Sequence, residues 1–273
     1  MKKICTSLIL SAMMIIPQIL KADESTSLPF SIKAAADLNW LSYMETDSDG
    51  NAIDGDTGWL KGLYVEGRYD SESVFACLFL SATGTASATY LGSYSNGMAT
   101  SNTTSEYIYL AEAGMGYKAY NSGTAFIAPY GGAGYRMWVR GENNASTGDY
   151  VEYYSWYYFD AGIEFTASSG AVVLSARGGI YLPWNMRMET DMNGYYDTGE
   201  FKLGWEPGFH MEGTVDYTLH RDRDMGVSLF FSPYYQRWNI GKSDTVEMKQ
   251  NGIPSGDSYF EPASYTHIMG YRF

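Results

Sequence analysis

The stretch Phe30-Ser-Ile-Lys-Ala-Ala-Ala-Asp-Leu-Asn-Trp40 sorts its side chains by parity. Phe30, Ile32, Ala34, Ala36, Leu38 and Trp40 share one face, and Ser31, Lys33, Asp37 and Asn39 share the other. Period two is the signature of a pleated strand. The pattern returns at Phe201–Tyr217, where Leu203, Trp205, Phe209, Met211, Val215 and Tyr217 oppose Lys202, Glu206, His210, Glu212 and Asp216. Such strands fit a half-buried sheet of a secreted sandwich, or the wall of a barrel with lipid outside and a polar lumen.

The rest of the chain separates these two settings. Ten runs of this kind are present: Phe30–Met44, Trp59–Tyr69, Val74–Thr83, Tyr107–Tyr120, Ala125–Arg140, Tyr153–Phe165, Ala171–Leu182, Phe201–Tyr217, Met225–Ile240 and Glu261–Phe273. Their connections alternate in length. Four short ones stand at 70–73, 121–124, 167–170 and 220–224, and five long ones at 45–58, 84–106, 141–152, 183–200 and 241–259. Short periplasmic turns and long external loops are the asymmetry of a membrane barrel, whereas a sandwich has no reason to alternate. All seven Trp (40, 59, 138, 156, 184, 205 and 238) fall beside a long connection. By parity Trp40, Trp59, Trp184 and Trp205 point outward as a girdle, and Trp138, Trp156 and Trp238 point inward. The fold expected is therefore all-β: a single antiparallel transmembrane β-barrel of ten strands, with eight as the alternative.

Composition and targeting agree. The chain has 25 Tyr, 12 Phe and 30 Gly, and aromatic residues make up 16%; Tyr and Trp favour the membrane–water interface. A mean hydropathy of −0.25 is no objection, because only alternate residues of a barrel strand meet lipid. Lys2 and Lys3 precede a mostly apolar run from Leu8 to Leu20, too short to span a bilayer. Residues 1–22 read as a signal peptide cleaved after Ala22, and residues 23–273 as the barrel. Without the leader, Cys77 is the one cysteine and no internal disulfide forms. Losing Lys2, Lys3 and Lys21 moves the net charge from −13 to −16, which disfavours nucleic acid.

The chain ends Tyr265-Thr-His-Ile-Met-Gly-Tyr271-Arg-Phe273. Alternate aromatics with a terminal Phe resemble the assembly signal of bacterial outer-membrane β-barrel proteins. The resemblance implies a Gram-negative outer-membrane, cell-surface location. It implies lipid and lipopolysaccharide as surroundings, and recognition of Tyr271 and Phe273 by the barrel assembly machinery. It covers the last strand alone, with Ile268 where the family signal has Gly.

Chemistry is sought first in the lumen. Inward parity gives eight bases, Lys33, Arg68, Lys118, Arg136, Arg140, Arg177, Lys202 and Arg272. It gives eight acids, Asp37, Glu66, Glu112, Asp160, Glu164, Glu206, Glu212 and Asp216. A balanced set predicts cross-strand ion pairs that close the lumen, with Arg68, Arg136 and Arg177 as hubs; the sharper alternative is a narrow polar pore. Ten strands fall well short of the 16–18 that leave a wide channel. His210 shares its face with Glu206, Glu212 and Asp216, either as a general-base candidate or as one more hydrogen-bonding group. Inward Trp138, Trp156, Trp238, Tyr154 and Tyr234 suit either a packed constriction or stacking on a sugar or peptide.

The acidic segment from Glu45 through Asp47, Asp49 and Asp54 to Asp56 reads as a solvated external loop or a Ca²⁺ site off the EF-hand register. Glu142–Ser146 and Asn102–Thr104 fit glycosylation sequons. Pro129 and Pro233, each before an Arg and a Trp, suggest a bulge in their strands. Omptin proteases are barrels of this size, with an Asp-x-His pair facing an acidic pair; barrel lipid A deacylases use His-x-Ser. No His here has either neighbour, so neither activity carries over and no cofactor is implied. The function expected is structural or surface-interacting, with an external ligand at the loops. A narrow porin is the alternative, and a surface hydrolase of omptin-like architecture the third reading.

Overall fold

Backbone pairing passes from strand to strand around a complete circle. The computed structural model describes residues 30–273 apart from 94–98, 142–149, 193, 195 and 222–225. The expected leader at 1–22 and the sequon at 142–146 lie outside the described residues. In chain order the strands are β1 (Phe30–Thr46), β2 (Ala52–Asp70), β3 (Val74–Ser93), β4 (Ala99–Tyr117), β5 (Tyr120–Asn121), β6 (Ala125–Gly141), β7 (Val151–Ser169), β8 (Val172–Asp191), β9 (Gly199–Arg221), β10 (Gly226–Ser243), β11 (Val246–Gln250), β12 (Ile253–Tyr259) and β13 (Ala263–Arg272). Ten of these build the wall. Its order is β4-β3-β2-β1-β13-β10-β9-β8-β7-β6, and a β4–β6 pairing completes the ring. First and last wall strands pair antiparallel from Asp37↔Arg272 to Thr46↔Ala263. The short β5 extends the edge of β6, and β11 and β12 form a separate hairpin.

The ten expected strands are all present, but four of the five long connections are mostly sheet. Ala52 to Gly58 belong to β2, Gly84 to Ser93 to β3, Pro183 to Asp191 to β8, and 246–259 carries the β11–β12 hairpin. Apolar alternation lapses where lipid would end, yet Thr, Ser and Tyr still suit a pleated ladder, so pairing continues. Nine of the ten wall strands run 17–23 residues, about twice the roughly 9–11 that cross a bilayer, while β13 has 10. The surplus stands at the long-loop end.

The outer surface carries an apolar band. Ile32, Leu63, Leu78, Leu80, Met115, Ile163, Met211, Leu229 and Met269 are exposed there. Aromatics border it on both sides, with Trp59, Tyr107, Tyr153, Tyr157, Trp184 and Trp205 toward the long loops. Phe30, Tyr69, Tyr117, Tyr217, Tyr271 and Phe273 lie toward the short turns. Trp40 and Trp59 face each other across β1 and β2, rings edge to face at 5.5 Å. Outward-facing His267 is held in this layer, hydrogen-bonded to the Tyr235 hydroxyl and packed against Tyr265.

Two expectations about local backbone are corrected. Neither proline carries a bulge: the β6–β7 register runs unbroken through Pro129↔Ile163, and β10–β13 through Pro233↔Tyr271. Pro129 lies where the β4 ladder has ended at Gly116↔Tyr130 and the β5 ladder has not yet passed Tyr120↔Ile127, so its missing N–H breaks nothing. The real irregularities are in β8 and β9. In β8 the register slips between Trp184 and Arg187, with Asn185 left-handed at φ 53°. In β9, residues 206–209 oppose 237–239 of β10. An extra residue reverses side-chain parity. Lys202 and Glu206, expected in the lumen, are therefore exposed, and Phe201 and Leu203 turn inward and are buried.

Close approach of the wall strands depends on glycine at several crowded points, Gly162 among them. A Cβ on Gly162 would sit 2.2 Å from the Gly178 carbonyl oxygen and 2.5 Å from the Tyr130 hydroxyl. Gly162→Ala is therefore expected to destabilise the refolded barrel by ~1–3 kcal/mol. The measurement is the midpoint of urea unfolding in detergent, and an unchanged midpoint would show that β7 and β8 have room to spare.

Candidate functional site

Inward side chains form layers along the barrel axis. Nearest the short turns, the Lys33 ammonium lies 2.7 Å from Asp216. Arg68 holds Asp70 at 2.6 Å and Glu164 at 2.8 Å, and Lys118 reaches Asp70 at 3.1 Å. Glu66 accepts from the Tyr64 hydroxyl at 2.8 Å. In the next layer Arg177 bridges Glu112 and Asp160, each at 2.9 Å. Arg272 bridges Asp37 at 3.4 Å and Glu212 at 3.0 Å while stacking on Tyr64 and Tyr234. His210 Nε2 lies 2.9 Å from Asp160 and 3.1 Å from the Tyr130 hydroxyl, with its ring stacked on Tyr181. It joins this network through Asp160 and the Tyr130 phenol.

Arg136 departs from the expected hub. It is fully buried, it forms no ion pair among the described residues, and none of its three side-chain nitrogens has a hydrogen-bond partner. The faces of Trp156 and Trp238 cover it at 5.4 and 4.9 Å. The reason is positional. Arg136 pairs across the sheet with Leu110 and Trp156, so no carboxylate stands beside it.

Above Arg136 the lumen is aromatic. Trp238 stacks on Tyr181 with ring centroids 4.0 Å apart, and meets Tyr158 edge-on at 5.0 Å and Trp156 at 5.6 Å. Trp138 stacks on Tyr154 at 4.7 Å and touches Tyr43 at 4.9 Å. All of these rings are buried, and of them Tyr181 alone borders the cavity below, so Trp138, Trp156, Trp238 and Tyr154 present no open face for a sugar or peptide. Tyr234, on the same inward parity, lies one layer lower and donates to Asp37 at 2.7 Å. Sequence reading overlooked Tyr43, Tyr158 and Tyr181. Parity with Asp37, Asp160 and Arg177 on their own strands would have found them.

A cavity of about 1260 Å³ lies on the other side of this aromatic layer. Its wall includes Ser71, Asn121, Gly123, Ser168 and Gly170 at the short-turn end. It reaches inward to Ile108, Arg136, Tyr181 and Gln236 and includes none of Tyr43, Trp138, Tyr154 and Glu261. Among the described residues, the lumen is thus a vestibule open at the short turns and blind at Arg136.

Among the described residues, the lumen at the long-loop end sets Arg140 among many acids. Arg140 binds Asp56, Glu45 at 3.0 Å, Glu152 at 3.0 Å and, more distantly, Asp54 at 3.7 Å. Buried Glu106 accepts from the Trp138 indole, and buried Glu261 accepts from the Tyr154 hydroxyl at 2.6 Å and the Tyr43 hydroxyl at 3.2 Å. This corrects the reading of Glu45–Asp56 as a solvated loop, because β1 and β2 continue upward and carry Glu45 and Asp56 into the lumen. Asp47 alone shapes the turn, accepting from the backbone N–H groups of Asp49 and Asn51 and from the Asn51 amide. The Asn51 bonds, foremost, hold its carboxyl below the ordinary range. Among the described residues no group of three or more His, Cys, Asp or Glu is arranged to hold a metal ion.

With this geometry in hand, the known proteins it resembles are barrels. No protein-family model matches the sequence, and no curated protein matches it. Among solved structures, the outer membrane protease OmpT from Escherichia coli superposes with a TM-score of 0.56 at 10% identity, over 91% of this chain and 99% of that one. The translocator domain of autotransporter NalP from Neisseria meningitidis covers 98% of this chain and 97% of its own at 8% identity, with a TM-score of 0.38. The chain has the fold of the outer-membrane β-barrels. At 10% identity the OmpT likeness is one of fold; the chain's three histidines stand in the mid-lumen, at the end of β9 and on the outer face.

Glu261 supplies the pH prediction. Burial, then the nearby Glu152 and Glu45, push its carboxyl well above the ordinary range. The folded protein then keeps a proton that the unfolded chain releases. Stability is greatest below the ordinary carboxylate pKa and falls as pH rises toward the elevated one. The loss is ~1.4 kcal/mol for each tenfold difference in proton affinity. Glu261→Gln keeps the acceptor and removes the charge. It should stabilise the barrel at pH 8 and leave it unchanged at pH 4, read as chemical unfolding midpoints in detergent; equal effects at both pH values would contradict the assignment.

Proposed function

We propose that this protein is an integral outer-membrane barrel with a closed lumen, acting through the surface it holds beyond the bilayer. One observation carries the reading: the buried Trp156–Trp238–Tyr158–Tyr181 packing across the lumen, continued outward by Trp138 and Tyr154. Ions crossing a dry aromatic layer would lose hydration without replacement. The ion pairs below it and Arg140 above add interactions that a permeating ion would have to break.

Orientation follows from the two ends. The short turns belong in the periplasm. The extended strands, the β11–β12 hairpin and the acidic tips belong outside, where divalent cations would join them to lipopolysaccharide. Tyr271 and Phe273, exposed on the outer face beside β1, suit recognition by the assembly machinery. An external ligand would then be met by the hairpin tips. The vestibule favours a second reading, a narrow porin closed in this state. A hydrolase on the OmpT-like frame would need its acid–base pair from residues other than histidine at the rim.

Planar-bilayer recording separates these readings. Wild-type protein should give no steady current, while Trp238→Ala, removing the ring at the centre of the layer, should give a small leak and cost about 3–5 kcal/mol of stability. Stable, ion-selective current from the wild type would establish the porin instead.

A further inference from the structure

Every other arginine of the lumen is held by carboxylates. Arg68, Arg177 and Arg272 each meet two, and Arg140 meets four. Arg136 meets none among the described residues, although it is fully buried. Trp156 and Trp238 lie over its faces. Aromatic faces attract a desolvated cation, but they do nothing for its five N–H donors, which lie around the edge of the guanidinium plane. A buried guanidinium without acceptors costs several kcal/mol. Arg136 stands among the residues at the blind end of the vestibule with its three nitrogens buried, so an acceptor entering by that cavity reaches them once the side chain turns toward it.

We propose that Arg136 anchors a small monocarboxylate with an apolar body, admitted through the vestibule from its short-turn end. The fork of a guanidinium matches the two oxygens of a carboxylate. Around it the cavity is lined by Ile108, Leu110, Tyr181, Tyr234 and Ile268, which suits a short aliphatic or aromatic group. One layer nearer the mouth stand Glu112, Asp160 and Glu212, already engaged by Arg177 and Arg272. Like charges at that height oppose dianions and phosphates more strongly than a single carboxylate. Charge and shape therefore select one negative group on an apolar stem. This inference does not depend on whether the barrel conducts.

The test uses the full mature-length barrel refolded in detergent, with folding checked by heat-modifiable migration, and benzoate as the probe. Calorimetry should show saturable benzoate binding, with Trp fluorescence changing in parallel because Trp156 and Trp238 border the site. Benzamide, the neutral isostere, and inorganic phosphate should not bind. Arg136→Met should weaken benzoate by about tenfold or more, and Arg136→Lys, which keeps the charge but loses the fork, by less. No saturable binding to the wild type, equal binding of benzamide or phosphate, or binding that survives Arg136→Met would each overturn the proposal. Should Arg136→Met fail to fold, photolabelling of the wild type with para-benzoylbenzoate decides. Adducts on peptides containing Tyr234 or Ile268, competed by benzoate, support the site, and adducts confined to the outer face or the hairpin tips refute it.

Discussion

The fold depends on one pairing, that of β1 with β13. A sheet surrounded by lipid has no water to satisfy an open edge, and every unpaired backbone group there costs several kcal/mol. The ten-residue ladder from Asp37↔Arg272 to Thr46↔Ala263 removes both edges at once. Closure at ten strands also fixes the bore, one close to what side chains alone can fill. The lumen contents follow from that width, since arginines reach carboxylates on other strands and indoles meet across the axis.

Electrostatics then divides the lumen unevenly. In the lower two layers bases and acids pair closely, and the Arg68, Arg177 and Arg272 forks each hold two carboxylates. At the long-loop end the balance is lost. Arg140 stands among Glu45, Asp54, Asp56 and Glu152, with Glu106 and Glu261 close by. Tyrosine and tryptophan donors, including Tyr43, Tyr154 and Trp138, satisfy some of the surplus oxygens. Retained protons would satisfy others. That end of the barrel is therefore tied to pH in a way the paired layers are not.

Much of this was readable from parity alone. The ten runs set the parity of β1, β6, β7 and β13, though not every inward residue on them, as Tyr43 and Tyr158 show, and the outward Trp40 and Trp59 stand opposite one another. Three kinds of information were missing. A bulge leaves no clear mark in side-chain polarity, so the slips in β8 and β9 hid the outward turn of Lys202 and Glu206 and the inward turn of Phe201 and Leu203. Polar strand above the lipid also looks like loop, because apolar alternation reports the lipid and not the ladder. That is why Glu45, Asp56, Glu106 and Glu152 were not foreseen inside. The isolation of Arg136 was equally hidden, since its neighbours are set by the registers with β4 and β7.

The blind vestibule also shapes the electric field. A wet cavity of about 1260 Å³ joined to one compartment sits near the potential of that compartment, while the dry aromatic layer above it polarises poorly. A voltage applied across the barrel would therefore fall mainly over the roughly 13 Å of strand between Arg136 and Arg140. Charges in the lower layers would hardly sense it. The Trp156–Trp238 packing would act as the dielectric of a thin capacitor, with a buried guanidinium at each plate.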